Sequence, residues 1–281
     1  MQIAQQLYEG VDIEGEGSQG LVTYIRTDST RISDEALAAV REMIQNTYGE
    51  AYLPAEPNIY KSRKTAQDAH EAIRPTDISR RPEDIKGSLT RDQFRLYRLI
   101  YDRFVSSQMT PALFDTLSAD VCGENGLVFH LAGQKKKFAG FTAVYEEVLD
   151  DAVEEKDTLL PDLQEGMPAA LEDVSGEQRF TQPPPRYTEA SLVRALEEKG
   201  IGRPSTYAPT ISTIITRGYV ARENKRLIPT ELGKIVNDLM CKNFPDIVNI
   251  QFTADMEEKL DEVENGAADW HAVVRDFYGP F

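Results

Sequence analysis

Residues 20–33 read GLVTYIRTDSTRIS. Its fourteen positions hold one tyrosine, two arginines, one aspartate and five hydroxyl side chains: Thr23, Thr27, Ser29, Thr30 and Ser33. A strand that only packs a core has no use for so many groups able to hold an anion. Leu21 and Val22 followed by alternation predict a short strand over LVTYIR. The two-residue period then puts Tyr24 and Arg26 on one face, with Arg31 a little beyond. Arginine's planar fork matches phosphate oxygens and stabilises charge developing on phosphorus, and hydroxyls add neutral donors. A phenol beside such a phosphate site suits covalent attack on a phosphodiester. Because the free phenol has a pKa of about 10, the site must favour phenolate or take up the proton during attack. Half-buried strand packing would account for Tyr24 alone, but not for its neighbours.

The flanking sequence is mostly helical up to Met109. Residues 1–9 read as the end of a helix leading into a loop. Ser33 caps a predicted helix that carries Asp34 and Glu35 in its first turn, has Leu37, Val40 and Ile44 on one face, and ends near Gly49. TAQDAHEAIRP (65–75) reads as another helix, closed by Pro75. A capping box, Thr90-x-x-Gln93, opens a third, striped by Phe94, Tyr97, Tyr101 and Phe104. After Pro111 the pattern turns strand-like: two runs joined through ENG (124–126), then FAGFTAVYEEV and MPAALEDVSG. The prolines of TQPPPRYT (181–188) form a stiff connector, and Thr188 or the residues just after it start a helix. Helix, short loop IGRP, helix with Ile211, Ile214 and Ile215 inward, a hairpin turning near Asn224-Lys225, and helix again make a winged-helix pattern over 189–240. The alternative is a plain helical subdomain. These readings predict a multidomain α+β chain. It is mostly α-helical, with an antiparallel β-rich segment (111–180) between helical domains at 1–110 and 181–281.

The chain has 281 residues and a formal charge of −16, which argues at first against a polyanionic partner. The distribution of charge points the other way. Residues 146–178 hold twelve acids and one lysine, and 246–276 hold nine acids and two bases; elsewhere 28 bases face 26 acids. Local potential rather than total charge guides a polyanion. No run of about 18 apolar residues could span a membrane, and MQIAQQLYEG lacks the pattern of a signal peptide. Cys122 and Cys241 are isolated from each other and from histidines at ligand spacing, so neither a disulfide framework nor a zinc site is expected. A cytoplasmic location is the corresponding expectation.

TYIRTDSTRIS resembles the active-site motif of type IA DNA topoisomerases, and three further stretches resemble the same family in the same order. AQDAHEAIRPT (66–76) is similar to its histidine segment. FTQPPPRYTEASLVRALEEKGIGRPSTYAPTISTIITRGYV (180–220) is similar to its long signature after the β domain, and FTADMEEKLDEVENG (252–266) to a segment near the end of its core. Within the family, the bacterial topoisomerase I branch fits better than topoisomerase III. The resemblance implies part of a toroidal core, single-strand cleavage through a 5′-phosphotyrosine, and relaxation of negatively supercoiled DNA without ATP.

By position, the resemblance makes Tyr24 the nucleophile and Arg26 the arginine on the scissile phosphate. Asp28 either orients that arginine or caps the following turn. His70 hydrogen-bonds the phosphate or the aspartate near the tyrosine. Arg203, Ser205 and Thr206 of GRPST hold the single strand at a helix N-terminus. Arg186, Tyr187 and Arg31 are further candidates for DNA contact, Tyr187 by base stacking. The family's Mg²⁺ ligands belong to an N-terminal Toprim domain. No Toprim sequence and no zinc ribbons are recognisable here, so the expectation is a central fragment of a monomeric enzyme that binds no metal and is inactive without the Toprim domain. A non-catalytic single-stranded DNA-binding module is the alternative. A tyrosine recombinase or nuclease fits less well, because such recombinases carry their tyrosine near the C-terminus.

Overall fold

The computed structural model describes residues 1–60, 70–123, 126–146 and 163–279. The first half is built on α1 (Gln2–Glu9), the small hairpin β1 (Val11–Ile13) and β2 (Gly17–Gln19), α2 (Asp34–Tyr48) and α3 (Arg91–Ser107). Ser33 caps α2 by accepting from the Ala36 amide, and the acids Asp34 and Glu35 sit at the positive end of the dipole. The Thr90–Gln93 capping box closes reciprocally at the start of α3. Helical spacing puts Val40 and Ile44 of α2 and Tyr97, Tyr101, Phe104 and Val105 of α3 into one core with Leu7, Ile13, Leu21 and Val22. Fully burying each aliphatic side chain of this set contributes about 1.5–3 kcal/mol. The buried phenols also find partners: Tyr97 donates to the Arg80 carbonyl at 2.8 Å and Tyr101 to the Ile78 carbonyl at 2.9 Å.

Two sequence readings fail in this half. LVTYIR forms no named strand: its ladder is a single bridge, Val22 to Pro75. The bonds on either side of that bridge are made, but the Leu21 amide goes to the Leu7 carbonyl and the Arg74 amide to the Thr23 hydroxyl, so the next ladder donors are already committed. The expected helix over 65–75 is also absent from its described part. Residues 70–75 are extended or bent, and 65–69 lie outside the described residues. Proline biases Arg74 away from helical dihedrals, and the segment's backbone bonds across to the Tyr24 stretch instead.

β3 (Leu113–Cys122) and β4 (Val128–Phe138) form the predicted antiparallel hairpin, and residues 124–125 of its turn are outside the described residues. Among the described residues beyond it the strand-like reading does not hold, and 147–162 lie outside them. Gly140–Ala143 is a 3-10 turn held by Phe141 N–H to the Thr110 carbonyl. Residues 163–187 carry no regular structure; Pro168 and Pro183–Pro185 remove ladder donors there.

The last part contains α4 (Glu189–Glu198), α5 (Tyr207–Thr216), the hairpin β5 (Val220–Glu223) and β6 (Arg226–Pro229), α6 (Glu231–Asn243), α7 (Ile250–Glu264) and α8 (Trp270–Tyr278). Thr188 caps α4 through a box with Ser191. Asn224 (φ 47°) and Lys225 (φ 66°) make the two-residue turn whose left-handed dihedrals suit strand twist. Ile211 and Leu227 are buried, and Ile214 and Ile215 are half-buried. The helix–turn–helix–hairpin order is therefore present. Among the described residues the chain has eight α-helices and three two-stranded antiparallel sheets, a mixed α and β architecture. No helix there is long and apolar enough to cross a membrane.

Candidate active site

Tyr24 sits where the end of α1 meets the chain leaving β2. The Leu21 amide donates to the Leu7 carbonyl at 2.7 Å. A Cβ on Gly20 would lie 2.9 Å from the Tyr8 carbonyl, so the close approach of the two backbones needs glycine at that crossing. Buried Leu21, Val22 and Ile25 anchor the segment and leave the Tyr24 ring at the surface, 36% exposed.

Two rings flank the phenol. Tyr8 meets it edge-on at 5.6 Å between centroids, and His70 lies beside it at 4.9 Å with planes tilted by 31°. His70 is brought there by Thr23. The Thr23 hydroxyl donates to the Ala72 carbonyl at 2.7 Å and accepts the Arg74 amide at 2.9 Å. The Thr23 amide donates in turn to the Arg74 carbonyl at 2.9 Å. Further along, the Thr76 amide reaches the Leu21 carbonyl and the Ala72 amide the Arg31 carbonyl. Arg74 is fixed by an ion pair to Glu71 at 2.7 Å and by bonds to the Pro75 carbonyl and Ser33.

The hydroxyls counted as phosphate donors have other work. Thr23 is the clamp just described, Thr30 donates to the Tyr60 carbonyl, and Ser33 caps α2. Thr27 and Ser29 accept the Ser29 and Arg31 amides, turning the chain and keeping only their O–H groups for a ligand. What remains for an anion is Tyr24, with the exposed Arg26 and Arg31 two and seven positions further along the chain. Among the described residues neither guanidinium has a hydrogen bond or ion pair. Asp28 is exposed too; among those residues it neither touches Arg26 nor caps the turn, and no hydrogen bond joins it to His70. The shared strand face of Tyr24 and Arg26 falls with the strand itself. No group of three or more His, Cys, Asp or Glu side chains among the described residues could hold a metal ion.

GRPST lies between α4 and α5. Thr206 is the N-cap of α5, and the amides of Thr206 and Tyr207 both donate to the Arg203 carbonyl. Pro209, in the first turn, has no N–H. The helix end therefore offers fewer free donors than its sequence suggests, and Ser205 and Thr206 are exposed beside it. The Arg203 guanidinium turns to α7, meeting Asp261 at 2.6 Å and Glu257 at 3.5 Å. Arg186 and Tyr187 run alongside β6: the Leu227 amide donates to the Tyr187 carbonyl and Arg226 to the Arg186 carbonyl. Their side chains are exposed, Tyr187 by half. Sequence reasoning missed Thr23, Tyr8 and Arg74. Only the proximity of Pro75 to the histidine gave any signal, since it marks extended chain.

A family model described as DNA topoisomerase matches residues 1–275. The structure of full-length topoisomerase I from Thermotoga maritima superposes with a TM-score of 0.83 at 40% sequence identity, covering 99% of this chain and 44% of that one. The chain thus spans less than half the length of that relative. Sequence model and fold agree over nearly every residue of the chain, including the Tyr24 segment with its histidine and arginines, and the protein belongs to the bacterial type IA DNA topoisomerases.

Proposed function

We propose that this chain carries the cleaving tyrosine and part of the single-strand binding surface of a type IA topoisomerase that relaxes negatively supercoiled DNA without ATP. The observation that carries the reading is the exposed Tyr24 phenol, held between Tyr8 and His70, with the Arg26 guanidinium, unpaired among the described residues, two positions away. Tyr24 Oη attacks a phosphodiester phosphorus, the Oη–P bond forms and the bond from phosphorus to the 3′-oxygen breaks. The phenol gives up its proton and the departing 3′-oxygen ends as a hydroxyl. Religation reverses that exchange, so the ester conserves the bond energy. Arg26 stabilises the charge growing on the phosphoryl oxygens, and the His70 ring orients the phenol. Arg31 adds positive potential along the strand's path. Asp28 remains a candidate for orienting Arg26 once a phosphate is bound.

Three segments share the work in this proposal: 1–110 carries the tyrosine, 111–180 forms the connection that opens with the β3–β4 hairpin, and 181–281 binds single strands through Ser205, Thr206, Arg186 and Tyr187. Mg²⁺ is held by residues outside this chain, and no step above runs through it. The enzyme acts as a monomer where the DNA is, in the cytoplasm. A second reading, non-catalytic binding of single strands, is favoured by the helix–turn–helix–hairpin order of α4 to α6.

Trapping separates the two. In the full-length protein with single-stranded DNA and Mg²⁺, a covalent adduct that survives denaturant is expected for the wild type and lost in Tyr24→Phe, with the melting temperature unchanged. An adduct that persists in Tyr24→Phe removes the nucleophile assignment, and a wild type that never forms one leaves the binding reading.

A further inference from the structure

The acidic helix α7 has no role in the chemistry proposed above, and its charge is the wrong sign for a DNA-binding face. It nevertheless holds the GRPST loop at several points. The Gly202 amide donates to Glu257 Oε1 at 3.1 Å. Arg203 Nη2 donates to Asp261 Oδ2 at 2.6 Å and to the Glu257 carbonyl at 3.3 Å, while Nη1 donates to the Gly202 carbonyl at 2.7 Å and lies 3.5 Å from Glu257 Oε2. Both terminal nitrogens of the guanidinium are thereby committed, and the fork that would grip a phosphate in bidentate fashion is already filled by carboxylate and carbonyl oxygens. The three side chains are only 33%, 26% and 21% exposed, so solvent screens the network less than a surface pair. Gly202 has φ +76°, and a Cβ there would crowd Thr206 and Tyr207 at 3.1–3.3 Å, so the loop has little alternative once it is tied down. Next to this anchor Ser205 and Thr206 are exposed; the Thr206 hydroxyl accepts the Arg203 amide at 2.9 Å and donates to the Arg203 carbonyl at 3.1 Å, whereas the Ser205 hydroxyl has no partner among the described residues.

Resting on the DNA-binding reading above, we infer that Glu257 and Asp261 are positioning residues for the single strand. They hold Gly202 and Arg203 against α7 so that the Ser205 hydroxyl, beside a Thr206 that braces the loop, is presented to a phosphate. The expected sign is the opposite of the simple electrostatic one. Removing a negative charge near a polyanion site ordinarily tightens binding, whereas here it frees the loop and weakens binding.

The test is fluorescence anisotropy of the full chain with a short labelled oligothymidylate, titrated at several salt concentrations, for the wild type, Asp261→Asn and Glu257→Gln. Affinity in Asp261→Asn should fall roughly fivefold or more, the low end of typical coupling between sites. The slope of log K against log salt should stay unchanged, because no phosphate contact is lost; each such contact is worth about 0.7 in that slope for single strands. A merely destabilised fold would weaken binding only in proportion to its unfolded fraction, which thermal melting of each variant reads separately, and Glu257→Gln, which keeps an acceptor for the Gly202 amide, serves if Asp261→Asn melts early. Equal or tighter binding by both variants overturns the inference and leaves the DNA reading intact. A slope flattened by about one contact in Asp261→Asn overturns it too, since the carboxylate would then be presenting a phosphate ligand. A wild-type chain that binds no single strand sinks the DNA reading and this inference with it.

Discussion

Thr23→Val changes one oxygen for a methyl group and leaves the side chain's size and branching alone. In the wild type that oxygen donates to the Ala72 carbonyl at 2.7 Å and accepts the Arg74 amide at 2.9 Å, while the Thr23 amide still holds the Arg74 carbonyl. Valine therefore strips a partner from one donor and one acceptor at once. An unsatisfied buried group costs about 1–3 kcal/mol, but Thr23 is half-buried and water reaches part of the gap, so the sum falls at about 1.5–3 kcal/mol. At about 1.4 kcal/mol per factor of ten, local opening of the crossing between 23 and 74 becomes roughly ten- to hundredfold more frequent. Hydrogen exchange reads this directly. The amides of Thr23, Arg74 and Thr76 should lose protection by that factor, while the amides of α3 serve as internal control. Because His70 is carried by the same crossing, covalent adduct formation in the full-length protein should fall along with the protection. Wild-type exchange at Arg74 in the variant would refute the clamp, and lost protection with undiminished adduct would refute the link between the clamp and the phenol.

Arg26→Ala should slow adduct formation by orders of magnitude, since one positioned donor to a developing oxyanion is worth about 2.7–4 kcal/mol; Arg26→Lys should restore part, keeping charge but not the fork, and wild-type rates with alanine would mean Arg26 never touches the phosphate. Tyr101 predicts the alkaline behaviour: burial, reinforced by the charge of Asp102 and opposed by Arg81, pushes its phenol up to about 12, and burial likewise raises Tyr97. The fold disfavours tyrosinate, so the unfolded chain loses its proton first, near pH 10, and stability present below that value drains as pH climbs towards 12. Circular dichroism against pH should show unfolding in that window, delayed in Tyr101→Phe; an unmoved midpoint would count against the assignment.

What could be read from the sequence was what local chemistry decides. Ser33, Thr90 with Gln93, and Thr188 announced helix starts because a cap is satisfied within three residues. Asn224-Lys225 announced the hairpin because only certain residues accept positive φ at both turn positions. The failures all depended on partners far along the chain. The Tyr24 stretch looks like a strand until the Leu21 amide proves to be taken by Leu7 and the Arg74 amide by the Thr23 hydroxyl, which leaves one bridge among the described residues. Residues 70–75 have good helix formers, but their hydrogen bonds are worth more to Thr23, 49 to 51 positions earlier. Arg203 reads as a free phosphate ligand because nothing nearby in sequence reveals carboxylates 54 and 58 residues later. The tyrosine proposed as nucleophile stands out by type and neighbours; the aromatic walls around it do not, because Tyr8 reaches it only through folding.

The crossing at Tyr24 also has a mechanical side. The main chain is pinned to α1 by the Leu21 amide on the Leu7 carbonyl, and to 74–76 by the Thr23 amide on the Arg74 carbonyl and the Thr76 amide on the Leu21 carbonyl, three bonds to two neighbouring segments. A DNA end joined to the phenol would pull along these segments, loading the bonds together in shear. A hairpin tip under the same pull would peel open one bond at a time. In the proposed enzyme the tyrosine would therefore pass tension from a held strand into the body formed with α1, the two would move as one piece, and a gap for a second strand would open at some other joint.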